Sequence, residues 1–177
     1  MIVLKIIGVA AVVLMAGFLI YAATRPDSFR IERAATIKAP PEKIFALIND
    51  LHRWTAWSPW EKIDPQLKRS YTGAENGKGA AYAWEGNGKV GAGRMEITDS
   101  AAASKIVMKL DFIKPFEGHN IAEFTLQPGA QDTTVTWAMF GPSPYLSKVM
   151  GLVFNMDKMI GGQFEQGLAN LKAISET

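Results

Sequence analysis

Tyr82, Glu85, Asp111, His119 and Glu123 are the side chains whose types and neighbourhood could move protons. They fall on neighbouring predicted strands and could meet near one sheet end, so the chemistry they would serve is general acid/base catalysis on a bound substrate. That role needs a group that projects inward with a perturbed pKa. Alternation along the strands turns Asp111 and Glu123 outward, onto a solvated face. His119 follows the turn Pro115-Phe116-Glu117-Gly118 and reads as an exposed histidine at a strand edge. Tyr82, His119 and Glu85 stay as candidates, and none is assigned a catalytic role.

Other signatures lead away from catalysis. Gly86-x-Gly88-x-x-Gly91 matches the dinucleotide-binding fingerprint and follows a predicted strand. The fingerprint requires a helix after the turn, whose first amides hold pyrophosphate, whereas Gly93-Arg94-Met95-Glu96-Ile97 reads as a further strand. A glycine-rich hairpin loop is therefore expected. No serine occupies a nucleophile-elbow pattern. The absence of cysteine excludes disulfides, thiolate metal sites and a cysteine nucleophile. His52 and His119 are distant in sequence and neither has a ligand spacing such as His-Glu-x-x-His, so no metal and no cofactor is expected. The chain has 19 Lys and Arg against 17 Asp and Glu; beyond residue 25 the two signs balance, with the basic residues scattered among the acidic ones. Such a surface offers no footprint for nucleic acid.

These residues must be positioned by elements that the hydrophobic pattern outlines. Ile6 to Ala23 is a run of 18 residues without a charge, which residues 2–4 extend beyond Lys5. A helix of roughly 20 residues crosses a hydrocarbon core of about 30 Å. Lys5 would snorkel at one interface, Tyr21 and Arg25 would lie at the other, and Pro26 would end the helix. Residues 1–25 are thus expected to be a single-pass anchor and residues 26–177 the folded domain. A cleaved signal peptide fits less well, because the run is long and Tyr21-Ala22-Ala23 is a poor cleavage site. A buried core helix fits least, since every face is apolar. Lys5 favours an inside N-terminus while Arg25, Arg30 and Arg33 argue the other way; export of the folded domain is the slightly better fit.

In the remainder, residues 28–38 alternate as a strand with Phe29, Ile31, Ala35 and Ile37 on one face. Pro41-Glu42 starts a helix, and a second short one covers Leu51 to Trp57. From residue 68 to 140 the period is two, which predicts six strands over 68–71, 79–85, 92–99, 104–113, 119–127 and 133–140. After Gly141-Pro142-Ser143-Pro144, helical spacing runs from Leu146 to Leu171 and predicts one long helix. Its Gly161-Gly162 pair predicts a kink or a close approach to another element.

The segment from Ala39-Pro40-Pro41-Glu42 to Asn49-Asp50, followed by Arg53-Trp54, Trp57-Ser58 and Pro59-Trp60, resembles the opening of SRPBCC (START-like) domains of the polyketide cyclase-like kind. The close, Phe164-x-x-Gly167-Leu168-x-x-Leu171-Lys172, is similar to theirs too. The resemblance covers about residues 28–175 and implies an α+β helix-grip fold, a curved antiparallel sheet wrapped on a long C-terminal helix. Such sheets commonly curl away from that helix, which implies an apolar cavity. Members bind lipids, hormones or pigments, cyclise polyketides or assist chaperones, so the fold leaves function open.

The inward positions are large and apolar, with no polar constellation among them. Trp84, Met95, Phe112 and Phe124 are among them, with Tyr82, Met108, Trp137 and Met139. Val153 and Met156 would face them from the long helix. Trp54 and Trp57, spaced by three, would pack in the core or form a pocket lid. All twelve are candidate contacts for a small hydrophobic, lipid- or polyketide-like ligand held without catalysis. A cyclase or dehydratase acting through Tyr82, His119 or Glu85 is the alternative, and a co-chaperone-like interaction module is a third; the polar outer face of the sheet counts against the last.

Overall fold

The computed structural model describes residues 2–177. An N-terminal helix, α1 (Ile2–Ala23), precedes β1 (Ser28–Ile37), α2 (Pro41–Asn49) and the short α3 (Trp54–Trp57), which is flanked by single 3-10 turns at Leu51–Arg53 and Pro59–Lys62. Six strands follow: β2 (Lys68–Gly73), β3 (Ala80–Glu85), β4 (Ala92–Ala101), β5 (Lys105–Lys114), β6 (Gly118–Pro128) and β7 (Thr133–Pro142). Two helices, α4 (Tyr145–Val153) and α5 (Met156–Ser175), end the chain. The strands form one antiparallel sheet in the order β1-β7-β6-β5-β4-β3-β2, and α5 packs along β1. Register shifts in β4, at Ala92/Gly93 and Ile97/Asp99, bend the sheet. This is the helix-grip architecture.

α1 is apolar on every side, with a mean hydropathy of 2.6. It is long and apolar enough to cross a membrane, and none of its most apolar stretch is buried against the rest of the chain. Only its C-terminal end meets the domain, where Ala22 is covered by its surroundings.

α2 begins with Pro41 in its first turn and Glu42 beside the positive end of the helix dipole. Its last carbonyls, which lack helical partners, accept hydrogen bonds from two indoles: Trp54 Nε1 donates to the Ile48 carbonyl at 2.9 Å and Trp57 Nε1 to that of Leu47 at 3.1 Å. The spacing of three thus staples α3 to the end of α2 and sends both rings into the core.

The single long helix expected over 146–171 is two helices. The break lies at Phe154-Asn155, where the Asn155 side chain accepts from the Lys158 backbone amide as an N-cap. α5 continues through Gly161-Gly162, and the close approach expected of that pair is made by Gly161. A Cβ there would overlap the guanidinium of Arg33, which reaches across from the core-facing side of β1. Arg33 Nε donates to Glu165 Oε1 at 2.7 Å and Nη2 to Asp157 Oδ2 at 2.9 Å, clamping α5 to the sheet.

Candidate functional site

Between the sheet and α5 the rings pack on one another. Trp137 of β7 is the hub, stacked on Phe164 of α5 with centroids 4.4 Å apart and on Phe124 of β6 at 4.8 Å. Trp57 and Trp60 meet it edge-on at 5.5 Å and Trp54 at 6.1 Å. Gly167 makes this possible, because a Cβ at that position would stand 2.7 Å from Trp137 Cζ3 and 3.2 Å from Pro59 Cδ. Met108, Met139, Trp54, Trp57, Phe124 and Trp137 are all buried in this cluster. They are core, and the middle of the sheet–helix space is filled by them.

The concave face is less covered toward the sheet end where β1 begins and β7 finishes. By register Trp84 of β3, Leu110 and Phe112 of β5 and Asn120 of β6 share the inward face there. Trp84, Leu110 and Phe112 are half-buried, as are Trp60 and Ile160 from the helical layer, and all five pack against the core. Met95 and Tyr82 floor the adjoining part of the sheet and are buried. The result is a shallow apolar shelf with one amide, that of Asn120. At the start of β1 and the end of β7, a concavity of about 420 Å³ is lined by Ser28, Phe29, Arg30, Phe140 and Gly141, with Ser28, Arg30 and Phe140 on the outer face.

At the β2–β3 side the inward face carries a polar constellation that alternation alone did not single out. Tyr82 Oη donates to Glu61 Oε1 at 2.7 Å, and Arg69 Nε donates to Glu61 Oε2 at 2.6 Å. The Glu61 carboxylate is only 5% exposed, so both its oxygens are used by protein partners rather than by water. Tyr71 stacks on Tyr82 at 5.1 Å and on His52 at 4.0 Å, covering the group from the strand edge. Burial first, and then donation to Glu61, pushes the Tyr82 phenol far above its ordinary range, so it stays protonated. The Pro59–Lys62 turn delivers Glu61, and alternation shows Tyr82 pointing inward; nothing in the sequence pairs the two across 21 residues.

The other acid/base candidates do not join Tyr82. Glu85 lies on the opposite face of β3, exposed, with its carboxylate 3.3 Å from Lys114 Nζ. His119 is exposed on the outer face, with Nδ1 at 2.7 Å from Asp111 Oδ1. Burial opposes ionisation of Asp111, yet the bonds to His119 and Lys109 hold its carboxyl below the usual range. Ion pairs Arg94–Glu96, Lys105–Glu123 and Lys109–Asp111 cover the same outer face, which carries Asp111 and Glu123 outward as alternation indicates.

Two expected contacts from the helical side lie elsewhere. Val153 ends α4 and is 65% exposed, and Met156, the first residue of α5, is exposed as well. The break at Asn155 is the reason: α4 packs chiefly on α1 rather than continuing α5 over the sheet. The glycine fingerprint forms the loop between β3 and β4. Gly91 takes a positive φ of 67°, and a side chain there would collide with the Lys114 carbonyl, so the third glycine serves a turn instead of a phosphate.

A family model described as polyketide cyclase / dehydrase and lipid transport matches residues 28–176. Among solved structures, a protein from Chromobacterium violaceum aligns with a TM-score of 0.59 at 15% identity, covering 86% of this chain and 99% of that one. DynU16, from the dynemicin biosynthetic locus, aligns with a TM-score of 0.58 at 17% identity, over 86% of this chain and 48% of its own. The Aha1 dimer from Colwellia psychrerythraea gives 0.56 at 17% identity, over 84% and 96%. At these identities the likeness is one of fold. No curated protein matches.

Proposed function

The chain belongs to the polyketide cyclase / dehydrase and lipid transport family, and from that premise we propose that it is a membrane-held, non-catalytic binder of a small hydrophobic molecule. In this reading residues 1–25 anchor the domain of residues 26–177, and the guest lies on the shelf formed by Trp84, Leu110 and Phe112. The observation that carries it is this half-buried apolar surface on the concave side, with the neutral amide of Asn120 as its polar neighbour. Of the residues expected to touch a ligand, Trp84, Phe112, Met95 and Tyr82 adjoin the shelf. The ring cluster around Trp137 fills the sheet–helix space beyond it.

Because the centre is filled, the guest covers a modest area. Burying about 300 Å² of apolar surface at roughly 25 cal/mol per Å² gives about 7.5 kcal/mol before the cost of association. Binding is accordingly expected to be micromolar or weaker. The test uses full-length protein in lipid nanodiscs, titrated with N-phenyl-1-naphthylamine and then screened by native mass spectrometry for retained lipids. Saturable binding that Phe112→Asp abolishes while the near-ultraviolet circular dichroism persists supports the reading. Binding that is absent, or indifferent to Phe112, refutes it.

A cyclase or dehydratase reading has one supporting observation, the buried and protonated Tyr82 hydroxyl on the concave side. As a general acid it would have to release Glu61 to reach a substrate. Turnover of a polyketide-like substrate that Tyr82→Phe eliminates would establish this reading in place of the first.

A further inference from the structure

The exposed apolar residues of the domain are gathered at one end. β1 starts, β7 finishes and the β5–β6 hairpin turns at the same edge of the sheet, since Ser28 pairs with Pro142 and Phe112 with Gly118. Ile113 and Phe116 stand exposed on that hairpin, and Leu146, Val153, Phe154 and Met159 stand exposed on and after α4. This is also the end from which α1 departs. From Tyr145 to Met156 the only charge is Lys148, and its ammonium is used by Asp27 at 2.6 Å.

The position of α4 along α1 gives the depth of this surface. Tyr145 Oη donates to the Leu19 carbonyl at 3.0 Å. Leu19 lies four residues inside the end of α1, or about 6 Å along its axis at 1.5 Å per residue. If α1 spans, the start of α4 therefore lies at the level where acyl chains meet headgroups, and a helix with apolar side chains exposed there lies in the interface.

We propose that this end of the domain docks on the bilayer, with α4 and Phe154 embedded in the interface and the Phe116 hairpin as a second foot. The shelf between Trp84 and Phe112 lies at the same end of the sheet, so a guest passes between lipid and protein with little exposure to water. The proposal rests on the reading of α1 as a membrane span.

The chain has no cysteine, so single-cysteine variants can each carry one environment-sensitive nitrobenzoxadiazole label. Full-length Phe154→Cys, Phe116→Cys, Ala102→Cys and Val13→Cys are reconstituted in phosphatidylcholine vesicles and quenched by doxyl lipid or by aqueous iodide. Labels at 154 and 116 are expected to be quenched several-fold more by the lipid probe than by iodide. The label at Ala102, in the turn between β4 and β5 at the opposite sheet end, should show the reverse. Iodide quenching at 154 and 116 equal to that at 102, with position 13 still lipid-buried, overturns the docking and leaves the anchor intact. Protection at 154 and 116 from both quenchers means that a protein copy covers the surface, which also overturns it. An aqueous label at position 13 removes the span, and the docking with it.

Discussion

Trp137→Ala tests whether the grip is filled or hollow. The indole is 3% exposed and touches five other rings, two by stacking and three edge-on. Truncating such a residue in a packed core costs about 3–5 kcal/mol, through lost transfer energy and the cavity left behind. A chain of this length loses roughly 2–4 °C of Tm per kcal/mol, so a fall of about 6–20 °C is expected in near-ultraviolet circular dichroism of the full-length protein in detergent. The vacated space should admit indole, and at a hundredfold excess over Kd the ligand should restore about 2.7 kcal/mol. Gly167 supplies a second reading of the same packing. In the wild type Gly167→Ala should destabilise, because its Cβ meets Trp137; in the Trp137→Ala background the cost should shrink, leaving only the 3.2 Å approach to Pro59 Cδ against a gain of up to about 1 kcal/mol in helix propensity. A Tm loss below about 3 °C, or additive effects of the two substitutions, would refute the claim that this ring fills the gap.

Adjacent glycines in α5 should respond with opposite signs: Gly162→Ala, which meets nothing within 4 Å, should stabilise by about 1 kcal/mol, whereas Gly161→Ala should destabilise by displacing Arg33, both read as urea midpoints. Asn155→Ala should cost about 1 kcal/mol by removing the cap that starts α5, detectable as a lower Tm. Glu61→Gln should cost about 1–3 kcal/mol in chemical denaturation, because Tyr82 and Arg69 lose a buried acceptor charge. It should also lower the Tyr82 pKa in an absorbance titration at high pH. Since the folded Tyr82 pKa lies above the unfolded value of about 10, its contribution to stability is complete below that pH and declines as the pH rises beyond it. Tyr82→Phe should therefore lose less stability than the wild type on going into this alkaline range; an identical slope would show that Tyr82 does not carry the effect.

Element order was legible because each strand alternates and each turn carries glycine, proline or asparagine. β1, the helices after it and the six later strands all appear where the pattern places them. The helix break at Asn155 is hidden by apolar spacing that continues across it, although Asn155 followed by Asp157 is a start signal in its own right. Arg33 carried a readable clue. It sits at even spacing between Ile31 and Ala35, so alternation placed a charge on the core face and required an acidic partner, which α5 provides twice. Alternation identified which rings face inward, but it has no access to the distance between layers. That is why Trp54, Trp57 and Trp137 can be read both as ligand contacts and as core.

The topology itself relates α1 to the less covered end of the sheet. α1 leads through a four-residue link into the start of β1, so whichever end of the sheet begins β1 must lie next to α1. Antiparallel pairing of β1 with β7 returns the chain to that same end, where α4 can reach the last turn of α1. α5 then runs away from it beside β1, and its far end is fastened by Glu176, which accepts from the Lys38 amide at 2.8 Å. The distant end of the grip is closed by α2, α3 and these contacts, and the end beside α1 is covered by the first turns of α5 and by Trp60. In the proposed reading, the less covered part of the concave face is thereby held toward the bilayer, and a guest drawn from it has the shorter path.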